Sequence, residues 1–503
     1  MRPATLQTFV VLCGFGSLQR FSARNFGEWG LVSFETFHSR VSLPLSRRRA
    51  LQIGAAGVLG MSLPQWLAAE AVAGLPSTGK AAAKNVLVIL EQGGLSHIDT
   101  WDPKPNAPVD HRSPHRPIAT NVPGMQFTDL LSRTSRVADK LSVVRSMWHS
   151  KGGANGHGEG TQYMLSGSHP SSPLEMPDMG CIVTKLLGSA CRELPPYIMV
   201  PGNDEQNGST RTGFLPAASR VFKTGGNDLS DPKWQVADLL PLSANSGPRF
   251  EGRRQMLHAL DAGFSRGNEV AGMERFYEQA FDTLTSSRVD QVFNLANETP
   301  ETRDLYGKGH RGACYLVGRK LIEAGVRFVT VDTRWPLTAD VPGGTNLNWD
   351  HHDLIYTSAS CGTIRDKAGG EGRYGIGHWV MMGSTDHAFA GLITDMDQRG
   401  LLADTLVCFV TEFGRTPRLN KFQGRDHWTN AYSIVLAGAG VPGGQVIGQT
   451  DEEGGNVLDA PYTPENYAST VYEKLGIDRA TPLYTSANRP VHFAQGAEPI
   501  MGV

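Results

Sequence analysis

Short runs dominated by valine, isoleucine and leucine recur along the chain, each closed by glycine or a polar cluster. Asn85–Leu90 is apolar after its first residue and stops at Gln92-Gly93-Gly94. A strand that is apolar on both faces has to be covered on both, which is the condition of a strand inside a parallel sheet. Runs of similar character occupy 140–145, 196–200, 326–332, 405–411 and 433–437. Between them, helical patterns cover 158–166, 177–188, 250–264, 271–295, 310–324, 378–400 and 464–475. Strands alternating with helices predict an α/β fold, a large and mostly parallel central sheet with helices on both faces. At 503 residues the chain exceeds what one simple core supports, so long insertions or a second domain are expected. The Gly, Asn, Ser and Pro-rich stretches near 201–250 and 336–376 each follow a predicted strand and read as loops walling a site.

The amino-terminal part has a different character. Arg47, Arg48 and Arg49 precede an uncharged, mostly apolar stretch at 50–69, and Ala71-Val72-Ala73 then supplies a small-x-small cleavage site. This is the layout of a secretory signal, and Ser46-Arg47-Arg48 before a Gly/Ala-rich core resembles the twin-arginine type. It implies export to the periplasm or outside the cell, with the twin-arginine machinery as a partner. Gly54, Gly57, Gly60 and Pro64 make the stretch a poor membrane helix, and no stable span is expected in the mature chain. Residues 1–73 therefore read as an upstream extension plus leader, and 74–503 as one domain with loop insertions.

Lys and Arg total 47 against 49 for Asp and Glu, a net −2, which is too balanced for a protein that grips phosphate backbones. Nucleic acid is excluded as a partner on that ground. Without residues 1–73, which hold seven Lys/Arg and three Asp/Glu, the remainder carries 40 against 46 and is mildly acidic at −6. Five cysteines remain after Cys13, with no CxxC among them. This argues against a disulfide framework or a cysteine-zinc site, and leaves buried thiols or an isolated bridge such as Cys181 to Cys191.

The polar residues that stand out lie directly after predicted strands. Glu91 and Ser96 to Asp102 follow the first, and His149 to Glu159 the second. The run Asn348-Trp349-Asp350-His351-His352-Asp353 follows the strand ending at Asp332, and Glu412-Phe413-Gly414-Arg415 follows Thr411. Gly424-Arg425-Asp426-His427-Trp428 comes just before the strand at 433. Strand ends of a parallel sheet are neighbours in space, and imidazole with carboxylate is a ligand set for Zn²⁺, Mn²⁺ or a similar ion. Each motif also has a plainer reading. Residues 350–353 make a solvated turn, Asp426 an N-cap, Glu412 with Arg415 a salt bridge, and Asp99 with Asp102 a turn before Pro103. What joins them is their shared position, where unpaired buried carboxylates are costly without a cation. The glycine-rich segment 156–160 entering a helix suits an anion but is neither a dinucleotide fingerprint nor a P-loop. There is no Gly-x-Ser-x-Gly elbow and no His-Glu-x-x-His.

Taken in order, the twin-arginine leader, residues 92–105 (QGGLSHIDTWDPKP), 349–352 (WDHH), 411–417 (TEFGRTP) and 424–428 (GRDHW) resemble the bacterial domain-of-unknown-function 1501 family over roughly residues 80–480. That family is similar to a branch of the alkaline phosphatase and sulfatase superfamily. The resemblance implies one or two divalent ions (Zn, Mn or Ca) at the carboxyl ends of the strands. It places Asp350, His352 and His427 as metal ligands, with Glu412, Asp426 and Asp99 as further candidates. Phe413 stands where a histidine is expected, and the first strand lacks an aspartate at its tip, so Glu91 or Asp99 would serve. His157 falls near the position of the nucleophile, as a ligand or a covalent catalyst, and Arg415 or Arg425 would stabilise charge on the transferred group. The implied activity is an exported metal-dependent hydrolase of phosphate or sulfate esters, with an anionic ester such as a sulfated polysaccharide as substrate. The alternative is a non-catalytic secreted protein that binds an anionic glycan or a cell-envelope partner.

Overall fold

The computed structural model describes residues 81–150, 152–202, 210–226, 228–236, 286–333, 347–357 and 373–503, short pieces between them, and the backbone of four strands in residues 8–45. Residues 1–75 and 76–503 are separate compact units. In the first, Thr8–Cys13, Ser17–Phe26, Trp29–Thr36 and Ser39–Leu45 form an antiparallel sheet in chain order. The leader signals expected at 46–73 lie outside the described residues, as do most of the helices expected at 250–264 and 271–295.

The second unit is built on eight strands: β1 (Asn85–Leu90), β2 (Ser142–Met147), β3 (Tyr197–Pro201), β4 (Phe222–Lys223), β5 (Phe328–Asp332), β6 (Thr405–Val410), β7 (Tyr432–Ala437) and β8 (Gln445–Ile447). Their order is β4-β3-β5-β1-β6-β7-β2-β8. Leu90 lies level with Asp332 on one side and Val410 on the other, so three parallel strands end at one edge. The mostly parallel sheet is as expected, with one correction. β7 runs antiparallel to both neighbours, β6 and β2. In a wholly parallel sheet the residues before a strand lie at the opposite edge; the reversal of β7 brings 424–428 to the edge where β1, β5 and β6 end.

Alternate strand residues feed two cores. Leu87, Ile89, Val329, Val331, Val407 and Phe409 pack on one face with α3 (His310–Glu323) and α4 (Ser384–Gln398). Val86, Val88, Leu90, Leu406, Cys408 and Val410 pack on the other with α1 (His157–Ser166), α2 (Met179–Leu187) and α5 (Pro464–Lys474). Each such side chain contributes roughly 1.5–3 kcal/mol when fully buried, so the strand framework dictates where its tips sit. Cys181, Cys191, Cys314 and Cys408 are buried thiols, and the bridge from Cys181 to Cys191 does not form.

The tip of β1 is locked to α3. Glu91 is buried, and its carboxylate accepts hydrogen bonds from Arg311 Nε and Nη2 at 3.2 and 3.0 Å, Tyr315 Oη at 2.8 Å and Trp349 Nε1 at 2.7 Å. Arg311 and Tyr315 stand one helical turn apart on α3, which aims both at one point. Removing one member of a buried ion pair leaves the other uncompensated. Glu91→Leu is therefore expected to lower stability by about 3–5 kcal/mol in urea unfolding. An unchanged unfolding midpoint would contradict this role.

Candidate active site at the strand ends

Three histidines converge on one carboxylate at this edge. Asp350 Oδ1 lies 2.8 Å from His352 Nε2, 3.1 Å from His427 Nε2 and 3.1 Å from His157 Nε2. The Nε2 atoms of His352 and His427 are themselves 3.0 Å apart. His157, Asp350 and His427 form the group of metal-ligating type found among the described residues, with ligand atoms within 4.8 Å of one another.

The far side of each ring faces an acceptor. His157 Nδ1 is 2.7 Å from Glu412 Oε1, His352 Nδ1 2.7 Å from Asp426 Oδ1, and His427 Nδ1 2.5 Å from the Asn155 carbonyl. A carboxylate or carbonyl oxygen accepts only, so each Nδ1 carries the proton, and a neutral ring keeps a bare lone pair on Nε2. Three lone pairs and a carboxylate oxygen crowded together repel unless a positive charge sits among them. His157 Nε2 is buried and completes no hydrogen bond of good geometry despite its 3.1 Å approach to Asp350.

Local sequence explains how the chain reaches this arrangement. Gly93, at φ +106°, passes so close to the 348–350 turn that a Cβ there would collide with the backbone nitrogen of Trp349. Its own N–H donates to Glu412 Oε1 at 2.7 Å. Gly160 lets α1 rest on the end of β6, since a Cβ would meet the Phe413 ring at 2.9 Å. Phe413 is fully buried and stacks obliquely on His157 and His427, with ring centroids 5.3 and 4.5 Å away. Gly414 and Arg415 pair antiparallel with Trp428 and His427, which sets the height of His427 over the edge.

Several candidates take other places than expected. Glu412 and Asp426 stand behind His157 and His352 and orient them instead of joining the centre. Asp99 is fully buried against Arg425, 3.0 Å away, and also accepts from Tyr356 Oη at 2.8 Å. Arg425 is equally buried and donates to Tyr356 Oη and to the carbonyls of Thr416, Pro417 and His111, so it braces loops and has no face toward a substrate. Arg415 is buried too. It donates to the carbonyls of Gly93, Gly94 and Arg425 and reaches Asp350 Oδ1 at 2.6 Å, so it positions the carboxylate. Glu91 is spent on Arg311. The Asn155 carbonyl went unforeseen because a backbone acceptor has no signature in sequence, whereas the spacing of Arg311 and Tyr315 was a readable signal.

Electrostatics follow from this geometry. Burial works against charge on His157, but its contacts with Asp350 and Glu412 outweigh burial and push it up to about 9. Burial likewise opposes ionisation of Asp350, yet Arg415 and the three imidazoles hold its carboxyl far below the usual carboxylate range. Against burial, His157 holds Glu412 low, while burial pulls His427 down. Without a cation, a proton on His157 supplies the central charge. Its folded value exceeds the unfolded 6.5, so it adds stability below about pH 6.5 that is lost as pH rises through about 9. Chelated protein should lose roughly 2–3 kcal/mol across that window in urea unfolding. The slope should be absent in His157→Gln, and an equal slope in that variant would refute the assignment.

Several solved structures are similar to this chain. They include the lipoteichoic acid synthase LtaP from Listeria monocytogenes, at 9% identity over 86% of this chain and 79% of that one, TM-score 0.33. The phosphonate monoester hydrolase SpPMH from Silicibacter pomeroyi matches at 10% identity over 79% and 74%, TM-score 0.35. A comparison with curated proteins returns no match. A family model matches residues 83–503, most of the chain including every residue of the cluster, and the protein belongs to that family, the proteins of unknown function called DUF1501.

Proposed function

We propose that the chain is an exported, metal-dependent hydrolase of phosphate or sulfate esters, of the alkaline phosphatase and sulfatase type. One divalent ion would be held by His157, Asp350, His352 and His427. The observation that carries this reading is the convergence of three Nδ1-anchored imidazoles on Asp350 Oδ1. The carboxylates of Asp350, Glu412 and Asp426 against the guanidinium of Arg415 leave a local excess of two negative charges, which a divalent ion balances. Imidazole-rich donors favour zinc or a similar transition ion over calcium. Phe413 takes the place where a second ion would need a ligand.

Such an ion supplies a Lewis acid that polarises an ester oxygen and makes water a better nucleophile. Glu412, Asp426 and the Asn155 carbonyl hold protons on the three Nδ1 atoms and keep the Nε2 atoms aimed inward. Arg415 fixes Asp350, and the Phe413 ring shuts water out from one side. His157 is the first residue of α1, so the positive end of that helix lies at the cluster and favours an anionic ester. In hydrolysis the water oxygen bonds to phosphorus or sulfur as the bond to the alcohol oxygen breaks, and the water proton ends on the alcohol. With Nε2 among the ligand atoms, His157 reads as a ligand and not as a nucleophile. A sulfated polysaccharide is the substrate class that an exported enzyme of this type would meet.

His427→Ala is expected to lose bound metal and turnover of aryl sulfate or aryl phosphate together, measured by elemental analysis and ester assays. A folded variant with full metal content would overturn the ligand assignment. A metal-loaded wild type that hydrolyses neither ester would instead be a binder of anionic glycans or of a cell-envelope partner. Zinc binding at pH 7.5 should release close to one proton, from His157, in calorimetry across buffers of different ionisation enthalpy. Zinc binding without proton release would count against His157 as a ligand.

A further inference from the structure

Of the three acceptors behind the imidazoles, one differs from the others in its exposure. Glu412 is fully buried and Asn155 offers its main chain, whereas Asp426 presents a side chain half exposed to water. A carboxylate in water samples several rotamers and changes its aim with each. His352, whose Nδ1 donates to Asp426 Oδ1, keeps one orientation only while Asp426 does.

Asn420 meets this need from the turn at 420–424. Its amide nitrogen donates one hydrogen to Asp426 Oδ1 at 3.2 Å, the same oxygen that accepts from His352, and the other to the main-chain carbonyl of His352 at 2.8 Å. One NH₂ group therefore holds both the backbone of a ligand and the acceptor behind its ring. The amide oxygen accepts from Phe422 N at 2.9 Å and Gly424 N at 3.0 Å, which shapes the turn. All four hydrogen bonds open to an asparagine side chain are made. The amide cannot be turned over, because its oxygen would then face a carboxylate and a carbonyl, and its nitrogen two N–H groups. The two loops come this close because position 424 is glycine, where a Cβ would collide with the His352 carbonyl. Main-chain bonds from Arg425 N to His351 O at 2.9 Å and from Leu354 N to Phe422 O at 3.1 Å hold them together on either side.

We propose that Asn420 is a positioning residue of the metal site, its amide nitrogen holding Asp426 against the His352 main chain so that His352 Nε2 stays aimed at the point it shares with Asp350 and His427. The proposal rests on the metal reading above and deepens it. The two ends of the amide separate this role from turn formation, since the oxygen shapes the turn and the nitrogen serves the ligand. Asn420→Asp keeps an oxygen for Phe422 and Gly424 but sets a second one against Asp426 and the His352 carbonyl. The test is a chelator-competition titration with Zn²⁺ alone, and visible spectra with Co²⁺ alone, on the wild type, Asn420→Asp, Asp426→Ala and the double variant. Asn420→Asp is expected to bind Zn²⁺ about 10- to 100-fold more weakly, the usual cost of losing a residue that supports ligands, and its Co²⁺ bands should shift. An added carboxylate by itself attracts a cation, so weaker binding has the opposite sign to a charge effect. The double variant should bind Zn²⁺ within about threefold of Asp426→Ala alone, because Asn420 acts through Asp426, whereas a role confined to the turn would make the two losses multiply.

Asn420→Asp with wild-type affinity and spectrum overturns the proposal, as does a double variant in which the losses multiply. If Asn420→Asp does not fold, Asn420→Ser decides, because its hydroxyl still accepts within the turn but is too short to reach Asp426. Tenfold weaker Zn²⁺ binding by Asn420→Ser supports the proposal, and wild-type binding overturns it. A wild type that binds neither ion sinks the metal reading, and this proposal with it, a result distinct from any difference among the variants.

Discussion

A carboxylate at the tip of the central strand, saturated by four donors, is the constraint on which the arrangement of this edge depends. Glu91 cannot reach into the site because it is engaged by Arg311, Tyr315 and Trp349. Through Trp349 it clamps the turn that presents Asp350, and through Arg311 it ties that turn to the helix covering the sheet. A charge that would be costly to bury alone becomes a rigid mount once its partner is buried with it. The one acid of the cluster that meets all three imidazoles is thus delivered by a loop whose base cannot shift.

A second tier of anchoring lies above this mount. Arg415 joins Asp350 to the carbonyls of Gly93, Gly94 and Arg425, and Arg425 in turn joins Asp99, Tyr356 and the 111–112 loop. These guanidiniums are buried because they satisfy backbone carbonyls that loops over a sheet edge leave without strand partners. Arginine supplies five donors in a fixed fork, so a single side chain can pin several crossing segments. The charge that a superficial reading assigns to substrate recognition is consumed in holding loops that are long and irregular.

Much of this was legible in the residues. The apolar runs at 85–90, 326–332 and 405–411 marked the strands, and the acid and imidazole clusters after them marked the edge. Asp350, His352, His427 and His157 do meet there. The direction of β7 was not legible, because an apolar run has no sense of its own and direction depends on its neighbours. Nor was the division between centre and support. Glu412 and Asp426 have the same chemistry as Asp350, and only the fold decides whether a carboxylate faces the common point or the back of a ring. The pairing of Asp99 with Arg425 joins residues more than 300 positions apart, beyond the reach of any local pattern.

The reversal of β7 has a consequence for the topology of the chain. It folds the 424–428 segment back over the edge, so that His427 meets His352 across 75 residues of sequence, while His157 meets Glu412 across 255. A ligand gripping these side chains would close large loops that the unfolded chain leaves open, much as a covalent cross-link does. The folded chain would then be stabilised in proportion to the logarithm of free ligand once its dissociation constant is exceeded. The persistence of the fold would be set by the ionic composition around it as well as by its core.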